Sequence, residues 1–97
     1  MKELSIELPE RINYRTITGL REKILDLILL SDQEALLDFN RVEHLDSVGI
    51  GLIVMMCKRA REENKRLKII NCDVKIAKIL MLANFYKIIN IELKKLF

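Results

Sequence analysis

The chain has 97 residues, of which 51% are hydrophobic and 32% charged, and its formal net charge is +3. This length and balance predict a single folded domain over residues 1–97 and exclude a disordered chain. The longest apolar run, Val48 to Cys57, is too short to span a bilayer, and the small positive charge is weak evidence for a nucleic-acid binder. We therefore expect a protein that neither inserts into membranes nor binds nucleic acid directly.

The cysteine and histidine content argues against a metal centre. Cys57 and Cys72 lie in apolar surroundings without a CxxC pattern, which indicates buried reduced thiols and a cytoplasmic protein. His44 is the only histidine, so a two-histidine metal site is excluded. The amino terminus, MKELSIELPE, lacks the apolar segment of a signal peptide. We expect no metal, no cofactor and no catalytic residue.

The first third of the chain predicts a strand followed by a helix. Apolar residues alternate with polar ones from Leu4 to Leu8, as in a half-buried strand that Pro9 closes. Asn13 is a suitable N-cap for a helix that reaches about Leu30. Gly19 inside that helix predicts a close packing contact, because glycine disfavours a helix interior.

The remainder continues the alternation of strands and helices. A mostly apolar strand over 35–39 predicts the buried centre of a sheet. A second helix starts near Ser47 and ends about Asn64, a strand covers 67–71, Asp73 caps a third helix, and a strand covers 88–91. Residues 92–97 predict a final helical turn or two. The order β-α-β-α-β-α-β predicts an α/β fold with about four mostly parallel strands and three to four helices.

The segment VEHLDSVGIGLIV, residues 42–54, places Asp46, Ser47 and Gly49 directly against an apolar run. A serine at a helix start can satisfy a free backbone N–H, and a glycine permits a tight turn or a close approach. The segment also lies between a predicted strand and a helix, where parallel sheets bind ligands. A phosphate on Ser47 would meet free N–H groups and the positive end of the helix dipole. A structural role and a phosphorylation switch therefore both fit.

The whole chain resembles the STAS domain, and in particular the bacterial anti-sigma factor antagonists. LLDFNRVEHLDSVGIGLIV (36–54) is similar to the family's signature stretch, an apolar strand followed by h-D-S-x-G-h-x-x-L. ELPERINYRTITGLREKIL (7–25) and RLKIINCDVKIAKILMLANFYKIINI (66–91) are similar to the segments before and after it. The resemblance implies a non-enzymatic module that regulates transcription by binding another protein.

The resemblance also implies specific residues and partners. Ser47 matches the family's phosphorylated serine, and Val48 replaces the second serine that often follows it. Unphosphorylated, such an antagonist captures an anti-sigma factor that is itself a serine kinase with bound ATP, and so frees a sigma factor. Phosphorylation releases the kinase, and a phosphatase resets the antagonist. The residues implied in docking the partner are Asn13, Tyr14, Arg15, Asp46, Val48, Gly49 and Ile50.

Some features depart from the family pattern. The family normally has one more strand at the amino terminus, and only eight residues precede Pro9, so we expect that strand to be absent. LPERIN replaces the usual G-E-L-D loop, Asn13 stands where an aspartate is commoner, and the carboxyl-terminal helix is short. A sheet edge left uncovered predicts a homo-oligomer or a partner that completes the fold.

Three alternatives fit the same residues. One is a scaffold subunit, stressosome-like or associated with a transporter, in which Ser47 is never modified. Another is a small α/β enzyme that binds a phosphorylated ligand at the same strand–helix junction, with Asp38 and Asp46 as a carboxylate pair for acid/base work or Mg²⁺ binding. The third is an RNA binder that uses a basic cluster, for which a solvated helix end is the simpler explanation because Glu62 and Glu63 interrupt it. The cluster consists of Lys58, Arg59, Arg61, Lys65, Arg66 and Lys68.

Overall fold

The structure, a computed structural model, describes residues 4–95. Three helices and a four-stranded sheet alternate along the chain, as the sequence predicts. Two very short strands and a 3-10 turn, Phe85–Lys87, accompany them. The elements in order are β1 (Leu4–Glu7), β2 (Arg11–Ile12), α1 (Ile17–Leu30), β3 (Glu34–Asp38), β4 (His44–Leu45), α2 (Ser47–Glu62), β5 (Arg66–Cys72), α3 (Val74–Leu82) and β6 (Asn90–Leu93).

The main sheet is entirely parallel, in the order β1-β3-β5-β6. Each connection moves the chain one strand further in the same direction. Such crossovers are right-handed, so all three helices lie on one face of the sheet. Ala35 and Leu37 on β3 align with Leu67 and Ile69 on β5, and all four are buried beneath the helices. The hydrophobic core is therefore the layer between this face and α1, α2 and α3.

The opposite face of the sheet has no helix over it within the described residues. Leu36 and Ile70 point to this side and are only partly buried, so β3 is not the two-sided buried strand that its composition predicts. Among residues 4–95, β1 pairs only with β3, and β6 only with β5. Both outer strands have an unpaired edge, which is the feature that the predicted homo-oligomer depends on.

Helix α1 begins later than its sequence pattern predicts. Its N-cap is Thr16, and Asn13 instead closes the preceding turn, with its side-chain Oδ1 accepting a hydrogen bond from the Arg15 amide at 2.9 Å. The prediction for Gly19 was also wrong. A Cβ atom placed there meets nothing within 4 Å, so packing does not require a glycine at this position.

The carboxyl end of α1 is capped from a distant part of the chain. The Lys65 ammonium group donates to the carbonyl oxygens of Ile28, at 2.7 Å, and Leu29, at 2.9 Å. A cation at this position satisfies free carbonyls and opposes the negative end of the helix dipole.

We expect Lys65→Met to lower the free energy of unfolding by about 1–2 kcal/mol, because it keeps the alkyl chain and removes the two hydrogen bonds. Urea denaturation followed by circular dichroism measures this. Lys58→Met is the matched control, since Lys58 is an exposed cation on α2 that makes no such contact within residues 4–95. Equal stability of the two variants would show that the cap contributes nothing.

The carboxyl-terminal segment differs from its prediction. Glu92 and Leu93 extend β6 rather than forming a helical turn, and the Lys94 amide continues the ladder by donating to the Cys72 carbonyl at 2.8 Å. Pairing with β5 satisfies these backbone groups, which a short exposed helix could not do as well. Residues 96–97 of the predicted turn lie outside the described residues. The predicted cap of α3 is confirmed, because the Asp73 carboxylate accepts from the Lys75 amide at 2.8 Å.

Both cysteines are free and buried, as predicted. Burial raises the pKa of each thiol to about 11, so both are protonated near neutral pH and are poor nucleophiles. Within residues 4–95, the helices are too short or too polar to cross a bilayer.

Candidate functional site

Two short segments that are distant in sequence form a small parallel ribbon at one end of the molecule. Strand β2 pairs with β4, with Arg11 opposite His44 and Ile12 opposite Leu45. Because the strands are parallel, the residues that follow them leave the ribbon side by side. The Asp46 amide accordingly donates to the Ile12 carbonyl at 3.4 Å. The ribbon brings the loop at Asn13 beside the start of α2.

Asp46, rather than Ser47, caps helix α2. Its backbone is extended, and its side-chain Oδ1 accepts a hydrogen bond from the Gly49 amide at 2.9 Å. Ser47 is the first residue of the helix, and its side chain is exposed. Its hydroxyl makes no hydrogen bond to any other residue in the part of the chain that the structure describes. The expectation that the serine satisfies a free N–H was therefore wrong, and the hydroxyl is available to solvent.

The start of α2 also has the electrostatics that suit an anion. The first hydrogen bond of the helix runs from the Ile50 amide to the Asp46 carbonyl at 2.9 Å, so the amides of Ser47 and Val48 precede the helical ladder. These amides and the helix dipole favour negative charge, whereas the neighbouring Asp46 carboxylate opposes it.

Gly49 is buried at the point where the ribbon contacts α2. A Cβ atom built there would lie 2.6 Å from the Ile12 carbonyl oxygen, 2.8 Å from Ile12 Cγ2 and 2.8 Å from Leu45 Cδ1. Ordinary carbon contacts are about 3.5–4.0 Å. Only glycine therefore lets the helix approach the ribbon this closely, and the position holds both halves of the site together.

The loop after β2 is ordered by its own hydrogen bonds. The Asn13 amide donates to Thr16 Oγ1 at 3.0 Å, and the Thr16 hydroxyl contacts the Arg11 carbonyl at 3.0 Å. Tyr14 is 65% exposed, and the Arg15 guanidinium donates to the Tyr14 hydroxyl at 3.0 Å. The loop therefore presents an aromatic ring and a cation to solvent as one unit.

The structure brings the predicted site residues together but gives them different roles. Tyr14, Arg15, Asp46 and Val48 are exposed around Ser47, with Val48 at 41%. Asn13 is half-buried and orders the loop. Gly49 is buried, and Ile50 packs against the hydrophobic core, so these two support the surface rather than form it.

Sequence reasoning missed a cluster of two carboxylates and one imidazole at the start of the ribbon. The Glu10 carbonyl accepts from the amides of Glu43 and His44, at 2.9 and 3.0 Å, and this brings the three exposed side chains together. Their potential ligand atoms lie within 4.8 Å of one another. The grouping depends on the β2–β4 pairing. Strands of two residues are too short to show a recognisable pattern in the sequence.

Both carboxylates of the alternative enzyme site have structural partners. Asp38 Oδ1 accepts from the Asn40 amide at 2.9 Å and from the Asn71 side chain at 3.1 Å. Asn71 has a left-handed backbone, with φ of 54°, within β5. Asp38 therefore stabilises the ends of two strands, and Asp46 caps α2. This arrangement gives no support to an enzyme site in which Asp38 and Asp46 act as a pair.

Comparison with known proteins gives a consistent result. The family model of the STAS domain matches residues 3–95. A STAS-domain containing protein of Pseudomonas aeruginosa (strain UCBPP-PA14) is 23% identical over 91 residues, which are 94% of this chain and 89% of that protein. A proposed anti-sigma factor antagonist of Thermotoga maritima has a similar structure, with a TM-score of 0.77 and 20% identity over 91% of this chain and 78% of that one.

The Bacillus cell fate determinant SpoIIAA, an anti-sigma factor antagonist, is also similar in structure. Its unphosphorylated form gives a TM-score of 0.75 and covers 94% of this chain and 81% of that one. Its phosphorylated form gives a TM-score of 0.69 and covers 94% of this chain and 84% of that one. Identity is 18% in both cases, so these likenesses establish the fold.

Proposed function

The chain belongs to the STAS domain family, and on that premise we propose that it is an anti-sigma factor antagonist switched by phosphorylation of Ser47. The family assignment confirms the resemblance seen in the sequence. In this proposal the protein acts as a protein-binding module and not as an enzyme. Its partner is an anti-sigma factor with serine kinase activity, and the partner binds the ATP that donates the phosphoryl group.

The observation that carries the proposal is the placement of Ser47. Its exposed hydroxyl is free of hydrogen bonds within residues 4–95 and opens α2 beside the ordered loop at Tyr14 and Arg15. A kinase can reach such a hydroxyl without unfolding the helix. The amides of Ser47 and Val48 can then receive the phosphate locally, so the modification leaves the fold intact.

The proposed switch works by changing the charge of the docking surface. A phosphate adds about −1.5 to −2 charges beside the Asp46 carboxylate. The unphosphorylated surface, with Val48 and Tyr14 exposed, binds the anti-sigma factor and frees the sigma factor. The phosphorylated surface repels it, and a phosphatase restores the first state. The existence of SpoIIAA structures in both forms supports a switch of this kind on this fold.

We expect incubation with ATP and the cognate kinase to add one phosphoryl group to the wild type and none to Ser47→Ala, as measured by intact-mass spectrometry. Ser5→Ala is the matched control, because it removes an exposed hydroxyl from β1 and should still gain the phosphate. Phosphorylation of the Ser47→Ala variant would show that a residue other than Ser47 is the acceptor. No phosphate on any of the three would favour the unswitched scaffold subunit.

A further inference from the structure

A groove of ≈ 740 Å³ lies at the end of the sheet opposite the Ser47 site. Glu34, Arg66 and Asn90, which begin β3, β5 and β6, all line it. The Ser47 site instead follows the carboxyl ends of strands. The second half of α2, the end of α3 and the 3-10 turn form the remaining walls. The groove is therefore separate from the surface assigned to the anti-sigma factor.

The floor and one wall of the groove are apolar. Cys57, Ala77 and Leu67 form buried parts of the floor. Met81 and Tyr86 on the wall are 57% and 59% exposed, so their apolar surface is accessible to a ligand. An apolar surface enclosed on several sides suits an apolar ligand.

The rim of the groove is basic, and three of its cations lack an ion-pair partner within residues 4–95. Arg61, Arg66 and Lys87 form no ion pair with any acidic residue in 4–95. Glu34 is the one acidic side chain among the described residues that line the groove.

Three other cations of the basic cluster have partners, and the remaining one, Lys58, does not line the groove. Arg59 pairs with Glu63 at 3.6 Å, Lys68 pairs with Glu92 at 3.2 Å, and Lys65 caps α1. The cluster is thus not one continuous face, as an RNA binder would need. Two of its unpaired members, Arg61 and Arg66, instead line the apolar groove.

We propose that this groove binds a small amphiphilic anion, an alkyl carboxylate or alkyl phosphate, as a second site of the protein. The alkyl chain lies on the apolar floor, and the head group contacts Arg61 and Arg66. Lys87, which lies over the Tyr86 ring, adds a third cation. The volume is within the range of about 300–1,000 Å³ that is usual for small-molecule sites. Charged head groups and guanidinium groups form strong hydrogen bonds, so the rim gives specificity that the floor alone would not.

The test is an NMR titration with dodecanoate and with dodecyl phosphate, each below its micelle concentration. We expect saturable shifts of the Ala77, Ile89 and Leu67 methyl groups and none at Val48. Dodecanol carries the chain without the charge, and acetate and inorganic phosphate carry the charge without the chain. All three should bind at least about tenfold more weakly. Comparison of the first two ligands tells whether a carboxylate or a phosphate head group is preferred.

Two variants and a control distinguish the contribution of the basic rim to binding from that of the apolar surface. Arg61→Gln with Arg66→Gln should weaken dodecanoate binding about tenfold or more and leave dodecanol unchanged. Met81→Glu adds a negative charge at an exposed wall position and should weaken dodecanoate binding without unfolding the protein. Arg59→Gln is the matched control on the same helix and should bind as the wild type does.

Equal binding of dodecanol and dodecanoate would overturn the proposal, as would shifts that spread to Val48 or a lack of saturable binding by both anionic ligands. Ser47→Ala should bind dodecanoate normally. The outcome is therefore independent of whether Ser47 is a phosphorylation switch.

Discussion

Ser47→Asp should bind the cognate anti-sigma factor at least about tenfold more weakly than Ser47→Ala, a loss of about 1.4 kcal/mol or more. The alanine variant adds no charge to the surface and serves as the reference. The aspartate variant places a charge at the first residue of α2, next to the Asp46 carboxylate and among the exposed side chains of Tyr14, Arg15 and Val48. A charge desolvated at the centre of an interface without a partner is strongly unfavourable.

Isothermal titration calorimetry with the purified partner measures this difference. Ser5→Asp introduces the same charge on β1, on the side of the sheet without helices, and should bind like the wild type. Because a charge desolvated in an interface is screened by salt much less than an exposed one, most of the loss from Ser47→Asp should persist as ionic strength rises. Equal affinities of Ser47→Asp and Ser47→Ala would falsify the repulsion mechanism, even if Ser47 proves to be phosphorylated.

Gly49→Ala should lower the free energy of unfolding by about 2 kcal/mol. Overpacking a closed site costs about 1–3 kcal/mol. Alanine recovers up to about 1 kcal/mol through its better helix propensity. The loss dominates here because the added Cβ would lie 2.6 Å from a backbone oxygen, that of Ile12, which cannot move away by a rotamer change. The ribbon and the helix must separate instead.

Thermal unfolding gives the measurement, and a loss of this size lowers Tm by on the order of 10 °C in a domain of this length. Gly51→Ala and Gly19→Ala are the matched controls, because a Cβ at either position meets nothing within 4 Å. Each should be stabilised by up to about 1 kcal/mol. A Gly49→Ala variant as stable as these two would show that the ribbon shifts without cost.

The contact between Ile12 and Gly49 connects the stability of the protein with its binding of the partner. This contact sets the position of the Tyr14–Arg15 loop relative to Ser47. We therefore expect Gly49→Ala also to weaken partner binding, although Gly49 itself is buried and cannot touch the partner. The affinity of folded Gly49→Ala, measured well below its Tm, distinguishes this positional effect from simple unfolding.

Much of the fold could be predicted because local patterns encode it. The period-two alternation from Leu4 to Leu8 and the helical spacing after Ile17 show which residues face the core, and each reflects burial of a local element. The N-cap of α3 at Asp73 was predictable for the same reason, since a cap forms with residues two or three positions away. Where two neighbouring polar residues could serve, as at Asp46 and Ser47, composition could not choose between them.

The candidate site was predicted in part. The strand–helix order and the family resemblance indicated Ser47 and its neighbours, because the carboxyl ends of parallel strands gather at one edge. They did not show that Ile50 packs into the core, that Asn13 orders its own loop, or that Glu10 approaches Glu43. The approach of Glu10 to Glu43 depends on pairing between segments about thirty residues apart. Asn13 orders its loop through local contacts, but which side chain would close the turn depends on a backbone geometry that composition does not specify.

The sequence by itself determined the alternation of strands and helices, the parallel sheet and the position of the hydroxyl at a helix start. The alternation and the helix start follow from interactions among residues that are near one another in the chain. The parallel pairing follows from the strand–helix–strand order, because such connections join parallel strands. Only the tertiary structure decided that β2 pairs with β4, that Gly49 closes on Ile12, and that Lys65 caps α1. The physical reason is that strands of two residues and single distant contacts have no periodicity. They form only when the packed core holds their partners in place.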